Sequence, residues 1–144
     1  MEDKAFELEN AVNDFVDAKA EIVDWDNIVN MGKWNNKEIL GHLIDSANVN
    51  LQRFVRATYE DGFKLIYHQD EWVAAQYYSE ASSKDLIQLW KHLNYQIARV
   101  LKHYPPERRV ALCDTGKHGV NLHTVEFLAA DYIEHLQHHL YQIS

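Results

Sequence analysis

Glycine and proline are scarce in this chain, and the long stretches between them repeat apolar residues every three or four positions. The 144 residues include five glycines and two prolines, and the prolines stand together at Pro105 and Pro106. Apolar residues spaced by three and four form one face of an α-helix, whereas strict alternation indicates a strand. The helical spacing dominates the sequence, which therefore predicts an all-α chain.

Four long helices are predicted from this spacing and from capping residues. The first covers about residues 4–23, and a turn over residues 24–33 follows. Asn35, with Glu38 three positions later, predicts the capping box of a second helix that ends near Tyr59. On the first helix the shared face carries Leu8, Val12, Phe15, Val16, Lys19 and Ile22.

The second half of the chain repeats this logic. Residues 63–81 are rich in aromatic side chains and predict only a short helix over about residues 74–78. Ser82 predicts the start of a third long helix, which the proline pair ends. Thr124 predicts the cap of a last helix that runs to Ser144.

These helices favour an antiparallel-type four-helix bundle, with residues 1–144 as a single domain. The loop over about residues 107–123 is longer than a bundle connector needs, which suggests a functional role for it.

Composition excludes several classes of partner. Fourteen Lys and Arg against 22 Asp and Glu give a net charge of −8, so nucleic acid is not an expected partner. No apolar stretch approaches the roughly 20 residues that span a bilayer, and the acidic N-terminal residues do not resemble a signal peptide. Cys113 is the single cysteine and cannot form an internal disulfide. We therefore expect a cytoplasmic protein without a membrane partner.

Nine histidines are the unusual feature of the composition, and three of them are His135, His138 and His139. At about 100° per residue, His139 falls about 40° from His135, inside the arc of apolar residues that the last helix must bury. His138 falls near −60°, outside that arc. Burying two imidazoles needs polar partners, and one divalent metal ion can serve both.

Spacing alone leaves two interpretations open. His135 and His139 are either core-edge histidines bonded to water or carboxylates, or two ligands of a metal site that needs a third. His42 lies off the main apolar face of its helix, in line with Ser46 and Arg53, on a side that either faces solvent or lines a cleft. The candidates for the third ligand are therefore His42, His68, His92, His103, His118 and His123.

Several fragments in order resemble the DinB/YfiT-like superfamily of proposed metalloenzymes. They are Trp34 with Lys37-Glu38-Ile39-Leu40-Gly41, His42-Leu43-Ile44-Asp45-Ser46, Arg53-Phe54, Tyr67 with Asp70-Glu71-Trp72-Val73, and the run from Asp131 to Leu140. The resemblance covers nearly the whole chain. It implies a four-helix bundle, often a homodimer, with a divalent metal held by one histidine from the second helix and two from the last.

Carried over by position, the ligands implied by the resemblance are His42, His135 and His139. Imidazole suits several metals, and zinc or nickel is expected. Apolar residues off the main stripes, such as Phe6 and Val55, are compatible with the homodimer.

Other side chains are candidates for a pocket beside the implied metal site. Asp45 lies one turn from His42, and we expect a surface carboxylate there, with orientation of a ligand imidazole as the alternative. Arg53 either meets a carboxylate of a small thiol or pairs with an acidic residue of the bundle. Packing is the favoured role of Tyr67 and Trp72, and a pocket wall is the alternative. Further candidates are Asn94, a polar residue in the third apolar stripe, and Tyr132, whereas Cys113 is expected to be an inert loop thiol.

The superfamily that the chain resembles includes S-transferases that use bacillithiol or related small thiols, and mycothiol-dependent isomerases. It implies metal-dependent transfer of a low-molecular-weight thiol to an electrophilic small-molecule substrate. A metal-dependent hydrolase and a metal-binding helical module without turnover are the alternatives.

Overall fold

Four long helices form the body of the molecule in a computed structural model that describes residues 1–29 and 34–144. They are α1 (Glu2–Ala18), α2 (Asn36–Arg56), α4 (Ser83–Lys102) and α5 (Val125–Gln142). A shorter helix, α3 (Gln69–Gln76), and a 3₁₀ turn at Tyr78–Glu80 lie between α2 and α4, and a second 3₁₀ turn at Pro106–Arg108 follows α4. The four-helix bundle predicted from the sequence is confirmed.

The helix starts follow the predicted capping residues. The Asn35 side chain accepts a hydrogen bond from the Glu38 backbone N–H, and the Glu38 side chain accepts one from the Asn35 backbone N–H, which completes a capping box. Ser82 caps α4 and Thr124 caps α5. Each side-chain oxygen satisfies an amide that the first helical turn leaves without a partner.

The predicted helix ends need correction. Helix α1 ends at Ala18 instead of Val23, and Ile22 is 81% exposed instead of facing the core. Helix α2 ends at Arg56. The short helix predicted over residues 74–78 begins earlier, at Gln69. Of the turn predicted over residues 24–33, residues 30–33 lie outside the described part of the chain.

The core is built from one face of α1, α4 and α5, whereas α2 is buried on all sides over residues 39–47 instead of along one apolar stripe. Both α4 and α5 pack mainly against α1 and α2, which places α4 and α5 on opposite sides of that pair. The segment between α4 and α5 therefore has to cross the end of the bundle, which accounts for its length. The fully buried core residues include Leu8 and Val12 of α1, Leu40 and Phe54 of α2, Trp90 and Ile97 of α4, and Ala129 and Ile133 of α5.

A small sheet, which the sequence does not predict, covers that end of the bundle. Strand β1 (Phe63–Lys64) pairs in parallel with β2 (Leu112–Asp114), which pairs antiparallel with β3 (Leu122–Thr124). Strands of two or three residues are too short to show alternation, and β1 and β2 are distant in sequence. The sheet fixes the segment after α2 against the loop before α5.

No helix within the described ranges is long and apolar enough to cross a membrane.

Candidate metal centre

The structure brings His42 of α2 together with His135 and His139 of α5. The Nε2 atom of His135 lies 3.2 Å from Nε2 of His42 and 3.1 Å from Nε2 of His139. One ring nitrogen of each histidine lies within 4.8 Å of those of the other two. Three imidazole nitrogens therefore meet at one point between two helices that are far apart in sequence.

The hydrogen bond on the far side of the His139 ring fixes its tautomer, and His42 has a partner at the corresponding nitrogen. Nδ1 of His139 lies 2.8 Å from Oε1 of Gln142, which only accepts, so Nδ1 carries the proton and Nε2 presents a lone pair. Nδ1 of His42 lies 2.9 Å from the Tyr67 hydroxyl, which can accept in the same way. Such partners orient metal-ligating imidazoles in known sites.

The His42 ring is also held by packing. Tyr67 stacks on it with ring planes 5° apart, and Trp34 lies against it with ring centroids 4.9 Å apart. His42 is 1% exposed, so the cleft interpretation of its helix face is correct and the solvated one is wrong. The Tyr67 contact spans 25 residues of sequence, which is why helical spacing does not reveal it.

Burial keeps the three rings neutral. Desolvation, together with the nearby His135 and His139, lowers the pKa of His42 to about 3. Desolvation and His139 lower the pKa of His135 to about 4, and burial also lowers the pKa of His139. Neutral imidazole is the form that binds a metal, so these histidines need not lose a proton at neutral pH to act as ligands.

The donor set fits a divalent ion. Lone pairs that face each other at 3.1–3.2 Å repel unless a proton or a cation lies between them, and one proton on His135 cannot serve both neighbours. In a tetrahedral zinc site with Zn–N bonds of about 2.0–2.1 Å, ligand nitrogens lie about 3.3 Å apart. The distances from His135 to the other two rings are close to this spacing, and three neutral imidazoles are a ligand set suited to a divalent transition-metal ion.

His138 lies outside the cluster, as predicted. Its side chain is exposed, and its Nε2 is 3.3 Å from the amide nitrogen of Gln142.

A cavity of about 150 Å³ lies beside the cluster, between α2 and α5. His135 borders the cavity, and Tyr67, which also packs on His42, forms part of its wall. The polar residues around it are Ser46, Asn50 and Arg53 of α2, Gln69 of α3, and Asp131 and Tyr132 of α5.

Asp45 is not the expected surface carboxylate. It is fully buried, and its Oδ1 accepts hydrogen bonds from the Gln76 amide (2.6 Å) and the Tyr78 hydroxyl (2.5 Å). Burial raises its pKa. Asp45 therefore holds α3 and the following 3₁₀ turn onto α2, and its hydrogen bonds do not reach a ligand imidazole.

Three other candidates have structural contacts. Trp72 is 36% exposed and packs edge-on against Tyr67. Asn94 is buried, donates to the Trp90 carbonyl and accepts from the Tyr132 hydroxyl at 2.5 Å, so it meets the cavity only through Tyr132. Cys113 is buried in β2, where burial raises its pKa, so it is a poor nucleophile.

A four-helix bundle with a three-histidine candidate metal centre is the class of protein that these observations define. The chain matches the family model of the DinB superfamily over residues 15–143 and belongs to that family. A comparison with curated protein sequences finds no match.

Among solved structures the chain is similar to YfiT from Bacillus subtilis, described as a probable metal-dependent hydrolase with an unusual four-helix bundle topology. The TM-score is 0.87 at 19% sequence identity, over 98% of this chain and 82% of YfiT. At this identity the likeness establishes the shared fold.

Proposed function

We propose that this chain is a metal-dependent enzyme that transfers a low-molecular-weight thiol to an electrophilic small molecule. His42, His135 and His139 would hold one divalent ion, with zinc or nickel expected. The observation that carries the proposal is the convergence of the three Nε2 atoms beside a cavity of about 150 Å³. A metal ion held by three protein ligands keeps a coordination position for substrate, as in catalytic sites.

A bound divalent ion would supply the Lewis acidity that lowers the pKa of a coordinated thiol or water toward neutrality. The protein's own residues supply orientation. Tyr67 and Gln142 fix two imidazole rings from behind, and Trp34 excludes water from one face of His42. The cavity offers polar side chains for a small substrate.

Metal-dependent hydrolysis is the second candidate, because YfiT is described as a probable hydrolase of this kind. The two reactions share the ligands and differ in the nucleophile. Hydrolysis proceeds without an added thiol, whereas transfer requires one.

Metal content tests the ligand set. Protein purified without a histidine tag should contain, or take up, about one zinc or nickel ion per chain, and His135→Ala should lose it. His138→Ala is the matched control, since it removes an exposed neighbouring imidazole on the same helix. A wild type that binds no metal, or a His135→Ala variant that keeps it, would overturn the proposal.

Turnover separates the two reactions. The loaded wild type is mixed with monobromobimane in the presence and absence of 2-mercaptoethanol, and with 4-nitrophenyl acetate alone. Acceleration that needs both the thiol and His135 supports transfer. If the ester is cleaved without added thiol and the cleavage requires His135, the hydrolase is supported. If the metal-loaded protein shows neither activity, the chain is a metal-binding module without turnover.

The homodimer stays a prediction. Phe6 is 66% exposed and Val55 is 40% exposed, which leaves apolar surface on α1 and α2. Light scattering on the eluting protein would give twice the monomer mass if the prediction is correct.

A further inference from the structure

Arg53 carries a buried positive charge on the wall of the cavity. The residue is 8% exposed, and its Nη2 donates to the Leu65 carbonyl at 2.6 Å. Among the described residues, its Nη1 makes only a long contact of 3.5 Å to the Asn50 side chain, and its buried Nε has no hydrogen-bond partner. The guanidinium therefore has donors that its hydrogen bonds do not use.

The charge of Arg53 is also without a close counter-ion. Across residues 1–29 and 34–144, no carboxylate lies within 4.0 Å of Arg53. A neutral carbonyl such as that of Leu65 satisfies a donor but does not neutralise a cation. Buried arginines ordinarily pair with a carboxylate or phosphate, because removing the charge from water is costly.

The position of Arg53 links it to the metal centre. Ser46, Asn50 and Arg53 follow His42 at helical spacing on one side of α2, and all three line the cavity that His135 borders. Arg53 lies seven positions after Ser46, which is about 10 Å along the helix at 1.5 Å per residue. One small molecule can therefore meet the histidine cluster at one end and the guanidinium farther along.

We propose that Arg53 is the binding residue for a carboxylate on the small molecule that enters the metal centre. A planar guanidinium matches a carboxylate through paired hydrogen bonds, and Arg53 lines the cavity with an Nη1 group whose contact within the protein is long. The proposal rests on the proposed function, since it names the chemical class of the ligand at that site: a thiol that also carries a carboxylate.

Asp131 limits the charge of that ligand. It is exposed and lines the same cavity, one turn before His135. Its negative charge opposes a second anionic group at the mouth, so a single carboxylate directed at Arg53 is favoured over a polyanion. Asp131→Asn should therefore raise the affinity for a carboxylate and leave the affinity for a neutral analogue unchanged.

The test compares thiols in two pairs, and the members of each pair differ in whether they carry a carboxylate or a neutral amide. Calorimetric titration of the zinc-loaded protein uses 6-mercaptohexanoate against 6-mercaptohexanamide, and 3-mercaptopropionate against its amide to cover a shorter span. At one of the two lengths the carboxylate should bind at least about tenfold tighter, as expected for a charge-assisted hydrogen bond. Equal binding at both lengths would overturn the proposal.

Variants test whether Arg53 is the source of the preference for carboxylate over amide. Arg53→Gln should reduce the difference between carboxylate and amide to about twofold or less, while Arg53→Lys should keep part of it. Arg56→Gln is the matched control, since it removes another arginine of α2, one that already pairs with Glu60. A preference that survives in Arg53→Gln contradicts the assignment. If that variant does not fold, an unchanged carboxylate affinity in Asp131→Asn contradicts it instead.

Failure of this inference is distinguishable from failure of the proposed function. Hexanoate and hexanamide, which carry no thiol, are titrated into chelator-treated protein and followed by NMR. An Arg53-dependent preference for hexanoate supports the carboxylate site even if the protein binds no metal. Loss of that preference, with metal binding intact, removes the carboxylate site alone.

Discussion

The Tyr67 hydroxyl lies 2.9 Å from Nδ1 of His42, on the side of the ring opposite the Nε2 atom that faces His135. Tyr67 belongs to the segment between β1 and α3, so a loop residue orients an imidazole of the bundle. The same tyrosine forms part of the cavity wall. One side chain therefore links the geometry of the candidate metal centre to the shape of the pocket beside it.

Tyr67→Phe removes this hydroxyl and keeps the ring that stacks on His42. We expect zinc affinity to fall by about 10–100-fold, because loss of a partner that orients a ligand histidine has effects of this size. Competition with a chromogenic chelator measures it. Tyr77→Phe, at an exposed tyrosine of the neighbouring segment, is the control. If both variants bind zinc as the wild type does, Tyr67 does not orient His42.

The stability of the metal-free protein should fall in mild acid. The folded-state pKa is about 3 for His42 and about 4 for His135, both below the ordinary value of 6.5. At pH values between the folded-state pKa of each histidine and 6.5, the unfolded chain binds protons that the folded chain does not. The free energy of unfolding therefore decreases as the pH falls. Each histidine contributes up to about 1.4 kcal/mol per pH unit within that window.

Urea unfolding of chelator-treated protein at about pH 7 and about pH 5 checks this slope. His135→Gln should flatten the dependence, whereas His138→Gln, at an exposed position, should not. Equal slopes in the wild type and both variants would show that these buried rings do not account for the acid sensitivity.

Gly41→Ala should destabilise the protein although alanine is the better helix former. A Cβ atom at Gly41 would lie 2.1–2.4 Å from three ring atoms of Tyr78, which is buried against α2. Overpacking of this kind costs about 1–3 kcal/mol, whereas helix propensity alone would add up to about 1 kcal/mol of stability. A lower free energy of unfolding in Gly41→Ala would show that overpacking outweighs helix propensity, and a higher one would contradict the prediction. In a Tyr78→Ala background the same substitution should stabilise.

Tyr78→Phe tests the buried hydrogen bonds of Asp45. The Tyr78 hydroxyl and Gln76 donate to the same carboxylate oxygen, and Oδ2 of Asp45 has no partner among the described residues. Loss of one donor should lower the free energy of unfolding by about 1–3 kcal/mol. Thermal or urea unfolding measures it, with Tyr59→Phe at an exposed site as the control. A cost no larger than that of the control would remove Asp45 as the anchor of α3.

Local signals in the sequence predict the bundle well. The caps at Asn35, Ser82 and Thr124 depend on residues three positions away, and the structure has all three. The angular argument also depends only on residues close in sequence, and it separates His135 and His139 from His138. The family resemblance then supplies His42, which spacing leaves as one candidate among several, and the structure places it beside the other two.

Contacts between distant segments are what the sequence does not reveal. Asp45 looks like a surface carboxylate because the residues that cover it, Gln76 and Tyr78, lie more than 30 positions later. Tyr67 lies in a segment without periodicity, and strands such as Phe63–Lys64 are too short to leave a pattern. These features depend on how the loops return to the bundle, which helical spacing does not encode.

The diagonal placement of α4 and α5 has a consequence for the order in which the chain acquires its structure. Of the four long helices, α2 and α4 are the pair closest in sequence that packs extensively, whereas α5 packs against α1 and α2 over long separations. Contacts of short separation form first, so we expect α2 and α4 to associate before α5 docks. Pulse-labelled hydrogen exchange would show amide protection in α2 and α4 ahead of α5, and simultaneous protection would contradict this order. Since α5 carries His135 and His139, the three histidines come together only when α5 docks. A partly folded chain therefore cannot bind a metal ion through all three of them.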